Sequence, residues 1–232
     1  EGKTHHIAVY RDISERKEAM SRENFLHSLL RHDVRNKAQL AQGYLELLEE
    51  SCRGDLQHDY LNKATRSIKE AEEIINKVSK LRKIENEKEV EEIDISVELD
   101  KVMSELKDQL DDKGINIEVD KSSCHVEGGI LLNELFYNVI ENSIKHSNCD
   151  NIKIEVFSKE DECIVSIEDD GKGIPNRYKE KIFQKGFKKG KSAGSGLGMY
   201  MVKEIAENYG GEVKVRDSDM GGARFTVSLN NS

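Results

Sequence analysis

The chain has 232 residues, of which 36% are hydrophobic and 35% are charged. This length is enough for one large domain or two ordinary ones with a buried core. The 45 acidic and 36 basic residues give a net charge of -9, which disfavours binding to nucleic acid. No apolar run approaches the roughly 20 residues that span a bilayer, and no signal peptide precedes the first element.

A cytoplasmic location, with no membrane contact from this part of the chain, is therefore expected. The first residue is Glu1 rather than Met, so the sequence is expected to be a fragment of a longer protein that could itself be membrane-attached. The four cysteines show no C-x-x-C spacing, which argues against a zinc site and predicts free thiols in a reducing cytosol. These cysteines are Cys52, Cys124, Cys149 and Cys163.

The first half of the chain predicts two long helices. Residues 5–10 predict a short strand, and Ser14 is a plausible N-cap for a helix that begins near residue 15 and runs to about Cys52. Its apolar residues recur every three or four positions, and a polar stripe that includes His32 faces away from them. After a turn at 53–55, a second helix repeats the apolar spacing. An antiparallel pair with so long an apolar seam buries little alone, which predicts a homodimer with a four-helix bundle.

The second half predicts a mixed sheet with helices. The charged run at 85–92 indicates a linker or a helix end, and therefore a domain boundary. Beyond it the periodicity switches repeatedly between that of helices and that of strands. Helices are predicted near 97–110, 130–146 and 197–209, and strands at 115–119, 152–157, 163–168, 212–216 and 224–229. The pattern predicts an α/β sandwich with helices on one face of the sheet, and the whole chain falls in the α+β class.

Two asparagines on a predicted helix form the first motif that carries chemistry. Asn138 and Asn142 are four residues apart, so they lie on one helix face, and Lys145 and His146 follow near the end of the same helix. Amide oxygens are hard ligands that suit Mg²⁺ together with phosphate and water, and Lys145 could neutralise phosphate charge. In isolation, the same pattern also fits a plain polar helix face.

The second motif is the segment 169–175, which directly follows a predicted strand. Gly171 and Gly173 allow the backbone to turn and to approach a ligand closely, and Ile174 follows them. The Asp169 carboxylate, at the end of the strand, can accept a hydrogen bond from an exocyclic amine such as that of adenine. Taken alone, the segment also fits an ordinary turn.

The third motif is a glycine-rich segment that opens the predicted helix at 197–209. Backbone N–H groups at such a helix start form an anion site that suits a polyphosphate. The nearby segment 186–192 is not a P-loop, because it has three rather than four residues between its glycines and no strand before it. The third motif consists of Gly194, Ser195, Gly196, Leu197 and Gly198.

Together with Phe183 and Phe187, these motifs resemble the N, G1, F and G2 boxes of sensor histidine kinases, which belong to the GHKL ATPase superfamily. The resemblance implies a Bergerat-type α/β sandwich that binds ATP and Mg²⁺. Asn138 and Asn142 would hold the metal, Asp169 would read the adenine amino group, and Phe187 would lie at the nucleotide. The segment from about 176 to 194 would be a mobile lid.

Residues 31–36 resemble the H box of the same family. The resemblance implies that His32 is the phosphoacceptor, that Asp33 orients its ring, and that Asn36 positions a water for dephosphorylating a partner. A neutral imidazole has a lone pair that can attack phosphorus, and an adjacent carboxylate can hold the other ring N–H. Lys37 stands where the family often has proline, so a weaker helix kink is expected after the acceptor.

Residues 5–19 resemble the last strand of a PAS sensor domain and its exit into a signalling helix. The expected organisation is a PAS-like tail at 1–13, a dimerisation and phosphotransfer hairpin at 14–88, and a catalytic ATP-binding domain at 93–230. The family implies that His32 is autophosphorylated and passes its phosphoryl group to an aspartate of a response regulator receiver domain, for which the protein would also be a phosphatase.

Two alternative functions stay open. One is a GHKL-type ATPase that transfers the phosphoryl group to water, although such enzymes carry a glutamate base where this chain has Asn138. The other is a nucleotide-gated scaffold, or pseudokinase, that binds ATP and partners without phosphotransfer.

Overall fold

The computed structural model describes residues 14–50, 54–86, 90–188 and 196–232. The predicted strand at 5–10 and the PAS-like tail at 1–13 lie outside the described residues. The chain divides into two compact units, Glu1–Val78 and Ser79–Ser232. This division falls inside a helix, earlier than the predicted boundary at 88–93. Leu81 and Ile84, in the last turns of that helix, are buried residues of the second unit.

The first unit contains helix α1 (Ser14–Leu29), a π-helical segment (Leu30–Val34), helix α2 (Arg35–Glu50) and most of helix α3 (Gly54–Asn86). The prediction of one uninterrupted α-helix from about residue 15 to Cys52 therefore needs a correction. A single π-helical turn separates α1 from α2, because one extra residue is accommodated in the turn that contains His32. Apolar periodicity cannot reveal such a turn, since the residues on either side keep their helical spacing.

Part of the predicted apolar seam of the first unit is buried and part is exposed. The buried seam positions are Leu26, Ala41, Ala64 and Val78, and Ile74, which the prediction did not include, is buried as well. The exposed apolar side chains on α2 and α3 are Leu40, Leu45, Leu47, Leu56, Leu61, Ile68 and Ile75. An exposed apolar stripe of this kind is typical of a helical surface that packs against a partner.

The second unit is built on a five-stranded mixed sheet of β2 (Asn116–Lys121), β4 (Asn151–Lys159), β5 (Glu162–Asp169), β6 (Glu212–Asp217) and β7 (Ala223–Asn230). Their order across the sheet is β2-β4-β5-β7-β6. Strand β2 runs parallel to β4, and the other neighbouring pairs are antiparallel. This architecture confirms the predicted mixed sheet.

Helices α4 (Ile95–Lys113), α5 (Leu131–His146) and α7 (Gly198–Asn208) accompany this sheet. Alternate strand residues, such as Ile154, Val165 and Val227, are fully buried, as one covered face of a sheet requires. The start of α4 is fixed by Asp94, whose side chain accepts a hydrogen bond from the Ser96 backbone N–H at 2.8 Å. At the other end, Gly114 adopts a left-handed conformation with φ of 64°.

Several short elements were not predicted, because three or four residues are too few to show a periodicity. Strands β1 (Glu91–Asp94) and β3 (His125–Gly128) pair in a separate two-stranded antiparallel sheet. Helix α6 (Asn176–Lys179) and the 3₁₀ turn Lys181–Phe183 follow the first glycine loop. Among the described residues, no helix combines the length and hydrophobicity needed to cross a bilayer.

The prediction of free thiols is corrected for two of the cysteines. Cys124 and Cys163 form a disulfide between residues 39 apart in sequence, one just before β3 and the other near the start of β5. Only the tertiary structure brings these positions together, so no local spacing could signal the bond. Cys149 is a buried free cysteine, and Cys52 lies outside the described residues.

Candidate functional site

Asn138 lies on α5 with its side chain almost fully buried, 4% exposed. Its Nδ2 group donates to the backbone oxygen of Glu134 at 2.7 Å and to Glu134 Oε1 at 3.0 Å. A Cβ atom added to Gly198 would lie 2.9 Å from Asn138 Oδ1. The amide oxygen of Asn138 is therefore directed at the glycine-rich start of α7.

The other predicted residues of α5 lie on its last turns. Asn142 is half-buried, one turn after Asn138, whereas Lys145 and His146 are exposed. Lys145 Nζ contacts Glu141 Oε1 at 2.7 Å, so a carboxylate already accompanies this cation. Although its surface is exposed, the protein atoms around His146 partly desolvate the ring, and this effect, together with the positive charges of Lys145 and Lys172, lowers the pKa of His146 below its ordinary value. Its imidazole is neutral at pH 7 in the absence of added negative charge.

Asp169 ends β5 and is almost completely buried, 2% exposed. The backbone N–H groups of Gly171 and Ala223 donate to its Oδ1 at 3.0 and 3.3 Å, and the Ser143 hydroxyl donates to its Oδ2 at 3.1 Å. A Cβ atom on Gly222 would lie 2.1 Å from Asp169 Oδ1, so the backbone can approach the carboxylate only because residue 222 is glycine. The carboxylate is thus held in one orientation by groups from three segments.

The first glycine loop follows Asp169 and packs against the end of α5. Gly173 has φ of +63°, and a Cβ on Gly171 would lie 2.4 Å from the Ser147 backbone oxygen. The Lys172 backbone N–H donates to that same oxygen at 2.9 Å, and Ile174 is half-buried. Both glycines therefore have a steric reason for their place in the loop.

Asp170 anchors the loop to the start of β4. Its Oδ1 accepts hydrogen bonds from the backbone N–H groups of Asp150 and Asn151, and its Oδ2 accepts one from Asn151 Nδ2. Burial would raise the pKa of Asp170, but the hydrogen bonds from the Asn151 side chain and from the two backbone groups outweigh burial, so its pKa lies below the ordinary value. Asp170 therefore holds the loop against β4, whereas the neighbouring Asp169 carboxylate is the one that is buried.

The second glycine loop is described only from Gly196 onward, so the predicted site residues Gly194 and Ser195 lie outside the described residues. Gly196 has φ of +71°, and a Cβ there would lie 2.7 Å from the Phe187 backbone oxygen. Leu197 is buried at the start of α7. The Phe187 ring lies 5.7 Å from that of Tyr178, and both Phe187 and Phe183 are half-buried.

The predicted phosphoacceptor lies in the first unit, inside the π-helical segment. The His32 side chain is 73% exposed, and its Nδ1 lies 2.9 Å from Asp33 Oδ1 and 3.4 Å from Asn36 Nδ2. A hydrogen bond to a carboxylate is the stronger of these two contacts, so Nδ1 carries the hydrogen and donates it to Asp33. The lone pair of the neutral ring then lies on Nε2.

Three functional groups were missed by the sequence reasoning. Ser143 contacts Asp169 from α5, Glu134 contacts Asn138, and the segment Gly222–Ala223 supplies a backbone donor to Asp169. The signals that could have found them are the position of Glu134 one helical turn before Asn138 and the glycine pair just before the last strand. Neither signal is informative until the structure shows that Glu134 contacts Asn138 and that the glycine pair lies beside Asp169.

The residues present fit a nucleotide with a hard cation. An amide oxygen on α5 is directed away from its own helix, a fixed carboxylate is available for an exocyclic amine, and glycines permit close approach at two loops. Residues 127–232, which include all these groups, match the family described as histidine kinase-, DNA gyrase B- and HSP90-like ATPase. This part of the chain is therefore similar to the ATP-binding domains of that class.

Other relatives match nearly the whole chain rather than only its second half. Sporulation kinase A of Bacillus subtilis (strain 168) is 27% identical over 235 residues, which cover 95% of this chain and 38% of that protein. The sensor protein kinase WalK of Staphylococcus aureus is 24% identical, with 97% of this chain and 58% of that protein covered. Over nearly its whole length the chain is similar to these sensor kinases, and it spans less than two thirds of the length of the curated relatives that it matches.

Solved structures support the fold. The histidine kinase AdeS of Acinetobacter baumannii is similar with a TM-score of 0.67 and 20% identity, over 86% of this chain and 97% of that chain. The histidine kinase ThkA, in complex with the response regulator protein TrrA, gives a TM-score of 0.74 at 20% identity, over 95% of this chain and 65% of that chain.

Proposed function

We propose that this chain is the core of a sensor histidine kinase that transfers the γ-phosphoryl group of ATP to His32. The observation that carries the proposal is the exposed His32 ring, whose Nδ1 is held by Asp33 at 2.9 Å, in a chain whose second unit has an ATP-binding fold. An exposed helical histidine alone would be ordinary. The nucleotide domain in the same chain makes phosphoryl transfer the best explanation for the arrangement.

In the proposed step, the lone pair of His32 Nε2 attacks the γ-phosphorus. A nitrogen–phosphorus bond forms, the bond from this phosphorus to the oxygen that bridges to the β-phosphate breaks, and ADP leaves with that electron pair. The ring becomes an imidazolium. Its Nδ1–H stays on the ring and continues to donate a hydrogen bond to Asp33, whose carboxylate stabilises the new positive charge. Asp33 therefore orients the ring and offsets its charge.

The groups of the second unit position the nucleotide in this proposal. Asp169 accepts a hydrogen bond from the adenine amino group, and the backbone N–H groups at the start of α7 bind the phosphates. Asn138 and Asn142 would hold Mg²⁺, which when bound neutralises phosphate charge. Because Asn138 replaces the glutamate base of water-activating relatives, transfer to histidine is favoured over hydrolysis.

The onward acceptor is proposed to be the receiver aspartate of a response regulator. The similar ThkA structure, whose description names a response regulator protein as its partner, supports this class of partner. Asn36, one turn after His32, is proposed to position a water for dephosphorylating that regulator. The proposal also includes a homodimer, a cytoplasmic location and a PAS-derived N-terminal tail.

The experiment is incubation with labelled ATP and Mg²⁺ of the wild type, His32→Gln and Asn142→Ala. Acid-labile, base-stable label is expected on the wild type and on neither variant. His27→Gln is the control, since His27 is also an exposed helical histidine near a carboxylate, Glu23, at 3.7 Å. Label that persists on His32→Gln would remove the assignment of the acceptor. Phosphate release without any label would instead support the ATPase alternative, and nucleotide binding without either reaction would support the scaffold.

A further inference from the structure

Glu134 is a buried carboxylate that contacts the side chain of Asn138. It lies one helical turn before Asn138 on α5, and its side chain is 11% exposed. Its Oε1 accepts a hydrogen bond from Asn138 Nδ2 at 3.0 Å, and its Oε2 pairs with Lys80 Nζ, also in the second unit. Each carboxylate oxygen therefore has its own donor.

These contacts determine which atom of the Asn138 amide faces the nucleotide side. The two hydrogens on Nδ2 have two acceptors, the backbone oxygen of residue 134 and the Glu134 carboxylate. If the amide turned over, Oδ1 would meet these two acceptors and both hydrogen bonds would be lost. The amide oxygen is therefore kept on the side of Gly198, where only an oxygen can bind a hard cation.

We propose that Glu134 is a positioning residue, which acts through Asn138 to present that amide oxygen to the metal of the nucleotide. The inference rests on the proposed function, in which Asn138 is a Mg²⁺ ligand. It assigns to Glu134 an effect on the magnesium-dependent part of nucleotide affinity, rather than on nucleotide affinity as a whole.

A buried carboxylate that pairs with a lysine but lies away from Asn138 exists in the same unit and provides a matched control. The Glu98 side chain is also 11% exposed, and it pairs with Lys101 on α4 at 2.6 Å. If Glu134 were merely a structural partner of Lys80, then Glu134→Ala and Glu98→Ala would behave alike. They would lower stability and leave the magnesium dependence of nucleotide binding unchanged.

The experiment measures the affinity for a non-hydrolysable ATP analogue with Mg²⁺ and with EDTA, by calorimetry, and takes the ratio of the two affinities. Glu134→Ala is expected to reduce this ratio roughly tenfold, which is the effect of losing one hydrogen bond to a charged group. Glu98→Ala is expected to leave the ratio unchanged. Glu134→Gln combined with Lys80→Met should restore most of the ratio, because the single remaining side-chain oxygen then has no donor competing with Asn138.

Asn138→Ala separates the failure of this inference from that of the proposed function. If Asn138→Ala leaves the ratio unchanged, the assignment of Asn138 to the metal is wrong. If Asn138→Ala reduces the ratio and Glu134→Ala does not, the positioning role of Glu134 is overturned.

A measurement on the unaltered protein covers the case in which Glu134→Ala does not fold. Hydrogen exchange of the Asn138 side-chain amide, followed by NMR, is expected to be at least tenfold slower than that of the exposed Asn148, because both Asn138 hydrogens are bonded and buried. Equal exchange rates would show that Glu134 does not hold this amide.

Discussion

A carboxylate that recognises an amino group must keep an oxygen lone pair in a fixed direction. Asp169 is held in this way by two backbone N–H groups on Oδ1 and by the Ser143 hydroxyl on Oδ2. The hydroxyl is the only one of these three donors that a substitution can remove without moving the backbone. Ser143 is therefore the most direct probe of the Asp169 assignment.

Ser143→Ala is expected to lower affinity for adenine nucleotides about fivefold, or about 1 kcal/mol, because Asp169 loses one of its orienting hydrogen bonds. Calorimetric titration with ADP measures the change. Ser67→Ala is the control, since Ser67 is also buried and its hydroxyl donates to the Lys63 backbone oxygen in the first unit. Unchanged ADP affinity in Ser143→Ala would count against the role given to Asp169.

His146 gives a prediction about pH. Because burial and nearby cations lower its pKa, the folded protein without nucleotide binds fewer protons at this site than an unfolded chain does. This cost to stability grows as the pH falls below the ordinary histidine pKa of about 6.5. A bound polyphosphate would raise the pKa of His146, so nucleotide binding near pH 6.5 should take up protons and should strengthen towards pH 6.

Calorimetry in two buffers of different ionisation enthalpy measures this uptake. His146→Asn is expected to abolish it. Proton uptake that is the same in the variant, or none in the wild type, would place His146 away from the phosphates.

At the scale of elements, the π-helical segment is the feature that sequence periodicity could not show. The His32 contacts to Asp33 and to Asn36 are both made within or directly beside this turn. The segment occurs in a chain with Lys37 where the related family often has proline. The helix is therefore modified at His32 by a local change of hydrogen-bond register rather than by a proline.

Two helix glycines make a matched pair of predictions. Gly198→Ala is expected to reduce nucleotide affinity at least tenfold, because its Cβ would press on the Asn138 oxygen, whereas stability changes little at the first turn of α7. In α2, a Cβ at Gly43 would have no atom of the described residues within 4 Å. Gly43→Ala should therefore raise stability by about 0.5–1 kcal/mol and leave nucleotide binding intact. Thermal unfolding and ADP titration of both variants test this contrast, which would fail if the two variants bound ADP equally well.

At the scale of the whole molecule, the exposed apolar side chains of α2 and α3 support the proposed homodimer. Sedimentation at micromolar concentration is expected to show a dimer, and Ile68→Glu, at a position 46% exposed on α3, is expected to convert it to a monomer. Ile130→Glu is the control, since Ile130 is 71% exposed but lies in the second unit. A wild-type monomer, or a dimer that survives Ile68→Glu, would contradict this interface.

The sequence alone determined the local structure and the motifs that depend on it. Apolar spacing predicted the long helices and the strands of the mixed sheet, because each residue's burial repeats with the geometry of its own element. It also placed Asn138 and Asn142 on one helix face and Asp169 at a strand end. These are statements about residues close together in the chain.

Only the tertiary structure decided which distant residues meet. It paired β2 with β4 in parallel, joined Cys124 to Cys163, and brought Ser143 and the segment Gly222–Ala223 to the two sides of Asp169. It also showed that the Asn138 oxygen faces Gly198. Periodicity reports the environment of a residue but not the identity of its neighbour, and that identity is set by how the whole sheet and its helices pack.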